Sequence, residues 1–370
     1  MGVREASLAR VVTPRPSFWG DRQVLVTGHT GFKGAWLSLW LTEMGAHVHG
    51  YSLDPADGPT IFDSAGVVGL LDSDTRADLR DQSAVRETVD AVRPEIVFHL
   101  AAQPLVSAGY RFPSETWSTN VMGTVHLLEA VRQQPSVRAV VVITTDKVYE
   151  DHGTGVSYIE SNRLGGHDPY SSSKSAVELL AASYRQSFWS TGDADDVCLG
   201  TARAGNVIGG GDWGIDRLVP DCLRAFEAGR PSVIRSPDSV RPWQHVLEPL
   251  SGYLVLAERL ASDGGNEYAS AWNFGPDQAS EVTVKKVAEM VALAWGDGAE
   301  VRQDAGSGRI HETKTLHLNS DKAREVLGWS PRWDLAEAVE RTVYWHLRIA
   351  DGADAQMLCL DHIVEYSGLC

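Results

Sequence analysis

Between Gln23 and Met44 the chain passes from a short apolar run, Gln23-Val-Leu-Val-Thr27, through Gly28-His-Thr-Gly31-Phe-Lys-Gly34 into a helical stretch, Ala35 to Met44. A strand that empties through three glycines into a helix leaves little choice of fold. The glycines let the backbone turn tightly and approach a pyrophosphate, and the helix start offers free N–H groups and a favourable dipole. Gly28, Thr30, Gly31, Phe32, Lys33 and Gly34 are therefore the first candidate cofactor contacts. A second strand, Ala46 to Leu53, ends at Asp54, about twenty residues past Gly34. An acid there meets the adenosine ribose hydroxyls and disfavours a 2′-phosphate. No arginine follows at once, so the reading is NAD rather than NADP. The bland alternative is a solvated loop aspartate.

The alternation continues. Ala77-Asp78-Leu79-Arg80-Asp81 places an acid at the end of a strand, suited to an adenine amine, with Leu79 beside it. Pro94 to Pro104 is a strand emptying into small residues, so Ala101, Ala102 and Gln103 should line the cofactor. Thr116 to Arg132 reads as a helix carrying Asn120, a further candidate cofactor contact. Arg138 to Thr144 is continuously apolar, as in a parallel strand covered on both faces. A helix from Pro169 to Ser190 and a strand from Val197 to Ala204, carrying Arg203, follow. The expected class is α/β, a Rossmann-type doubly wound parallel sheet with a smaller mixed α/β C-terminal substrate domain.

After Gly205-Asn206 the alternation loosens, and Gly209 to Trp213, Asp216 to Pro220 and Ser232 to His245 read as a loop-rich cap. Trp272 to Pro276 returns to the core, and Val282–Gly296, Asp321–Gly328 and Leu335–Ile349 read as helices. The expected divisions are a flexible leader over 1–16 and a nucleotide-binding domain over 17–205 plus about 245–276. A nucleotide-sugar domain would span about 206–244 plus 277–350, with a C-terminal tail over 351–370.

Two short stretches carry the chemistry. In Tyr170-Ser-Ser-Ser-Lys174 the lysine lies one helical turn beyond the tyrosine. An ammonium there favours the phenolate, and with a nicotinamide the pair suits hydride removal from a carbinol. The motif alone is short enough to be an ordinary helix start. Thr145-Asp146-Lys147 follows the apolar strand, at the end where ligands of open α/β sheets bind. Asn206, Arg217 and Arg241 fit diphosphate and sugar contacts, arginine because its planar fork matches phosphate. Arg217 is equally suited to pairing with Asp212 or Asp216. Trp243 and His245 read as structural.

A formal charge of −16 argues against a nucleic-acid binder. The four cysteines form no C-x-x-C pair, so neither a disulfide frame nor a metal site is expected, and a reducing cytoplasm is the default. No apolar run reaches membrane-spanning length, and the first sixteen residues lack a signal peptide's apolar core.

With these residues in place the chain resembles the extended short-chain dehydrogenase/reductases, the NAD-dependent epimerase/dehydratase family, and most closely their CDP-glucose 4,6-dehydratase branch. The resemblance runs from about Ser17 to about His346. It rests on the G-x-x-G-x-x-G spacing in VTGHTGFKGA (Val26 to Ala35), HLAAQPLV (His99 to Val106), TNVMGTVHLLEA (Thr119 to Ala130), RAGNVIGGGDW (Arg203 to Trp213) and RPWQHVLEPLSGYL (Arg241 to Leu254). It implies tightly held NAD and a CDP-glucose substrate oxidised at C4, dehydrated across C5 and C6, and reduced at C6. Tyr170 would take the C4 hydroxyl proton, Thr145 would bond the C4 oxygen, and Lys174 would tune Tyr170 and hold the nicotinamide ribose. Asp146 would protonate the leaving C6 hydroxyl, which requires a raised pKa. Lys147 stands where dTDP-glucose dehydratases carry a glutamate base; it would either take the C5 proton or merely pair with Asp146. Gln103 would touch both cofactor and substrate, and Arg203 would belong to the cofactor site. A homodimer is implied, through helices equivalent to 116–132 and 169–190, with a dimer of dimers as a further arrangement. The family's usual arginine after QPLV is replaced by Ser107 and Ala108, and its H-E-A-H-Y-L by His311-Glu-Thr-Lys-Thr-Leu316. Ser172 replaces a common asparagine. The changes at Ser107 and Thr313 to Thr315 keep a nucleotide-sugar 4-epimerase, or a dehydratase of another NDP-sugar, as the alternative.

Overall fold

The computed structural model describes residues 11–151, 155–190, 197–304 and 315–368. Among them the first strands are β1 (Gln23–Thr27), β2 (His47–Ser52), β3 (Ser73–Arg76), β4 (Ile96–His99) and β5 (Ala139–Ile143). Next come β6 (Ser157–Tyr158), β7 (Cys198–Ala204), β8 (Asn206–Ile208), β9 (Ser232–Ile234) and β10 (Val240–His245). The last are β11 (Ala271–Phe274), β12 (Glu281–Thr283), β13 (Val301–Gln303) and β14 (His317–Leu318).

Seven strands form one parallel sheet in the order β11-β7-β5-β4-β1-β2-β3. The chain winds outward from β1 to β3, then crosses back to lay β4 on the other side of β1. That reversal opens a crevice beyond the carboxyl ends of β1 and β4, where such sheets bind ligands. β5 reads Ala-Val-Val-Val-Ile with every residue buried, because helices cover both faces. The helices Phe32–Glu43, Leu247–Leu260 and Ala355–Ser367 build one apolar layer, and Gln82–Val92, Gly123–Arg132 and Pro169–Phe188 the other. Phe32–Glu43 is buried all along from Gly34 to Leu41, which explains its lack of a polar face. The expected α/β doubly wound sheet is the one observed.

A second body of structure surrounds β12-β10-β8, where Leu218–Glu227, Val284–Trp295 and Leu335–Ala350 bury Leu223, Phe226, Trp243, Val291 and Val339. Its β10 lies in a stretch that reads as loop, because Pro237 and Pro242 interrupt the pattern. The proline is accommodated because each neighbour pairs with only half of β10: β12 with Val240 to Pro242, β8 with Trp243 to His245.

Both chain ends differ from expectation. In the stretch read as a tail, 351–370, the described residues form no tail: the helix Ala355–Ser367 buries Cys359, Ile363 and Tyr366 against Phe32–Glu43 and its surroundings. In the segment read as leader, residues 1–10 lie outside the described residues, but Val12 donates to the Gly328 carbonyl and Arg15 pairs with Glu258 at 2.7 Å. A helical turn, Pro16–Trp19, then seats Trp19 in the core.

Candidate active site

At the end of β1 the turn allows no side chain at two of its glycines. Gly28 has φ +75°, and a Cβ there would meet Ala101 N at 2.7 Å; at Gly34 it would lie 2.1 Å from the Gly28 carbonyl. Gly31 caps the helix Phe32–Glu43 with no side chain, so the first-turn N–H groups remain available to an anion. The turn forms one wall of a cavity of about 800 Å³. Thr30, Ser52, Leu53, Asp78 and Leu79 continue this wall, and Ala101, Ala102 and Gln103 face it from the end of β4. Thr30 Oγ1 bonds Ser52 Oγ at 2.8 Å and the Leu53 carbonyl at 3.1 Å, pinning the turn to the end of β2. An elongated cradle of backbone N–H groups closed by glycines fits a dinucleotide pyrophosphate. Asp54 lies just outside the wall, its side chain 87% exposed and 4.0 Å from Arg76. Asp78 is gripped by Arg80, which holds its carboxyl below the ordinary range.

The far end of the cavity gathers the chemistry. Asp168 caps the helix Pro169–Phe188 by accepting from Ser171 N at 3.0 Å, and Pro169 occupies the first turn. This sets Tyr170 and Lys174 on one face, opposite Thr145-Asp146-Lys147 at the end of β5. Thr145 Oγ1 donates to Asp146 Oδ1 at 3.0 Å. Asp146 is 3% exposed, and among the described residues its Oδ2 has no partner. Burial pushes its pKa up, against the pull of Lys147, Thr145, Arg241 and Lys33. Lys147 lines the cavity; among the described residues no ion pair within 4 Å joins it to Asp146.

Tyr170 and Lys174 are tuned differently from the simple pair expected. Burial lifts the phenol to about 12, with Thr145 and Arg217 favouring the phenolate. Lys174 turns its Nζ to the Ile143 carbonyl at 3.0 Å, and burial lowers it to about 8. The ammonium therefore holds the end of β5 rather than the phenol oxygen. Lys33, expected at the pyrophosphate, extends its Nζ to 5.9 Å from the Tyr253 ring, where burial first and Arg217 second lower it to about 8. Tyr253, inside the RPWQHVLEPLSGYL block but given no role there, is a fully buried phenol whose oxygen, among the described residues, has no partner.

On the sugar-nucleotide side Asn206, Arg217 and Arg241 line the cavity. Arg241 is 5% exposed and donates to the Val240 carbonyl. Arg217 joins both alternatives, pairing with Asp212 at 3.0 Å while remaining in the wall. Ser107 donates to Asp216 at 3.1 Å, and Asp216 pairs with Arg235 at 3.2 Å. Thr315 bridges to Val240, while Thr313 and Lys314 lie outside the described residues. Among the described residues no group of His, Cys, Asp or Glu is placed to hold a metal ion.

Two expected cofactor contacts do not reach the cavity. Arg203 forms a buried fork with Glu178, Nε to Oε1 at 3.0 Å and Nη2 to Oε2 at 2.8 Å, and also donates to Tyr149 Oη. Asn120 holds the loop after β4, accepting from Gln103 N at 2.8 Å and donating to Ser173 Oγ at 2.9 Å. Both brace the site from behind. Arg203→Met strands a buried carboxylate and is expected to lower stability by about 3–5 kcal/mol in a denaturant titration. An unchanged midpoint would contradict this bracing role.

Comparison with known proteins places this geometry. The family model for GDP-mannose 4,6 dehydratase matches residues 25–342. The chain is 48% identical over 352 residues to a CDP-glucose 4,6-dehydratase of Salmonella typhimurium, covering 95% of this chain and 97% of that protein. Among solved structures, MoeE5 in complex with UDP-glucuronic acid and NAD is 26% identical, with a TM-score of 0.73 over 89% of this chain and all of that one (100%). A double mutant of the dTDP-glucose 4,6-dehydratase DesIV from Streptomyces venezuelae, with NAD and DAU bound, shares the fold. It is 22% identical, with a TM-score of 0.74 over 89% of this chain and 98% of that one.

Proposed function

The chain belongs to the GDP-mannose 4,6 dehydratase family, and on that premise we propose that it converts CDP-glucose to CDP-4-keto-6-deoxyglucose. It is an NAD-dependent hydro-lyase acting on a nucleotide sugar. The nucleotide assignment leans on the 48% identical relative. The reaction class is best supported by one observation: Asp146, buried with a free carboxylate oxygen, faces Tyr170 across the same cavity.

The glycine turn and the helix start would hold the NAD pyrophosphate, Asp54 the adenosine ribose, Asp78 the adenine, and Ala101, Ala102 and Gln103 the cofactor's flank. Held there, NAD would supply a hydride acceptor for C4 of the sugar and a hydride donor for C6. Tyr170 takes the C4 hydroxyl proton while Thr145 bonds the C4 oxygen. The C4 ketone acidifies C5–H, and Lys147 takes that proton. Asp146 delivers its own proton to the C6 hydroxyl, which leaves as water. Lys147 then returns the C5 proton as C6 is reduced. Tyr170 has gained one proton and Asp146 has lost one, so a proton passing between them resets the site. Arg241 and Arg217 bind the diphosphate, and Asn206 the sugar end.

Incubation with CDP-, UDP-, dTDP- and GDP-glucose, followed by mass spectrometry, is expected to show loss of one water from the CDP sugar. Equal turnover of another nucleotide would overturn the nucleotide assignment, and unchanged masses throughout would overturn the dehydration.

The same reading divides the chain into an NAD-binding domain over 17–205 and about 245–276, and a substrate domain over about 206–244 and 277–350. It places the enzyme in the cytoplasm; among the described residues no helix is long and apolar enough to cross a membrane. It also makes the protein a homodimer. Trp117, Met122, Leu179 and Phe188 are exposed within 116–132 and Pro169–Phe188, in the stretches expected to pair across a two-fold axis. Sedimentation is expected to give a dimer, and Leu179→Glu to weaken it. A monomer at working concentration would dispose of this arrangement.

A further inference from the structure

Arg76 ends β3 in register with Ser52 of β2, two residues before Asp54. Its guanidinium grips Asp74 through two hydrogen bonds, Nε to Oδ1 at 2.7 Å and Nη2 to Oδ2 at 2.8 Å. It lies over the Phe62 ring, 4.8 Å from the centroid, with Nη1 4.0 Å from the Asp54 carboxylate and 3.5 Å from the Leu53 carbonyl. Asp74 also bonds Nε2 of His29, the buried second residue of the glycine turn, at 2.8 Å. A cation from the neighbouring strand thus stands beside the acid beyond β2, fixed by a ring and by a second acid.

An acid after β2 recognises a free ribose 2′-hydroxyl, whereas a nearby arginine accommodates a 2′-phosphate; both are present here. We propose that Arg76 and Asp54 together set the choice between NAD and NADP, with Asp54 covering a phosphate receptor that Asp74 and Phe62 hold in place. The inference rests on the dinucleotide reading of the glycine turn. Asp74 leaves Nη1 of Arg76 with only a long 3.5 Å bond to the Leu53 carbonyl, and that nitrogen stands 4.0 Å from Asp54. Asp54 is almost wholly exposed, so removing its charge leaves the packing of Arg76 intact and uncovers that nitrogen. A phosphate oxygen could then take the place of the carboxylate, as a charge-assisted bond to a preorganised fork.

Calorimetric titration of the full chain with NAD and NADP tests this in the unaltered protein, Asp54→Asn, Arg76→Ala and the double variant. The unaltered protein is expected to bind NAD more tightly. Asp54→Asn should raise NADP affinity about tenfold, and the gain should vanish when Arg76 is also replaced. A gain that survives in the double variant would mean that only repulsion was relieved, and no gain at all would remove the receptor; either result overturns the proposal. An unchanged thermal melt in every variant reports an intact fold, and Arg76→Gln substitutes if the alanine variant unfolds. Failure of the unaltered protein to bind either nucleotide would instead sink the dinucleotide reading, and this inference with it.

Discussion

Tyr170→Phe is expected to reduce turnover by roughly 10³- to 10⁴-fold, at the upper range for loss of a general base. The substitution removes one oxygen whose favourable contact is with Thr145, and the ring keeps its 9% exposed seat in the cavity. NAD binding and thermal stability should therefore change little. Because C4 oxidation precedes every later step, neither reduced nicotinamide nor keto sugar should accumulate. Burial holds the phenol near 12 in the free chain, so deprotonation depends on Thr145, on Arg217 and on positive charge arriving with the oxidised nicotinamide. Normal turnover by the phenylalanine variant would remove Tyr170 from the mechanism.

Asp146→Asn should separate the reaction into halves. Asparagine has nearly the same shape, and its amide can still meet Thr145, but it cannot give a proton to a leaving hydroxyl. Oxidation at C4 should proceed, and the near-ultraviolet absorbance of reduced nicotinamide should rise and persist. Water loss should fall by about 10²- to 10³-fold. The sign of the pH response follows from the same group. Burial raises the Asp146 pKa, and elimination requires the protonated acid, so the elimination step should weaken as pH rises through that raised value. Wild-type elimination by Asp146→Asn would discard the acid assignment.

What the sequence makes legible is whatever a short run of backbone decides. Gly28 and Gly34 declare the turn because side chains there collide with the backbone, and four-residue spacing alone puts Lys174 on the face of Tyr170. What escapes is the direction of side chains between strands. Arg203 and Asn120 lie close to the site in the chain, yet one turns to Glu178 and the other to Gln103. Arg76 meets Asp54 only because β3 pairs with β2, so a search for an arginine immediately after Asp54 cannot find it. Lys33 sits in the phosphate turn by position and at the catalytic end by reach. The terminal helix does carry a stripe, Ala355, Leu358, Cys359, His362, Ile363 and Tyr366, but its small and polar members disguise it.

The proposed reaction is an internal transfer of hydrogen from C4 to C6 coupled to loss of water. It is tested most directly with CDP-glucose carrying deuterium at C4, incubated with the protein and NAD in ordinary water and followed by mass spectrometry and NMR. The expected product is lighter by one water, with the deuterium at C6 and a ketone at C4. A product of unchanged mass, with the deuterium still at C4 and the hydroxyl there inverted, would contradict it and make the chain an epimerase.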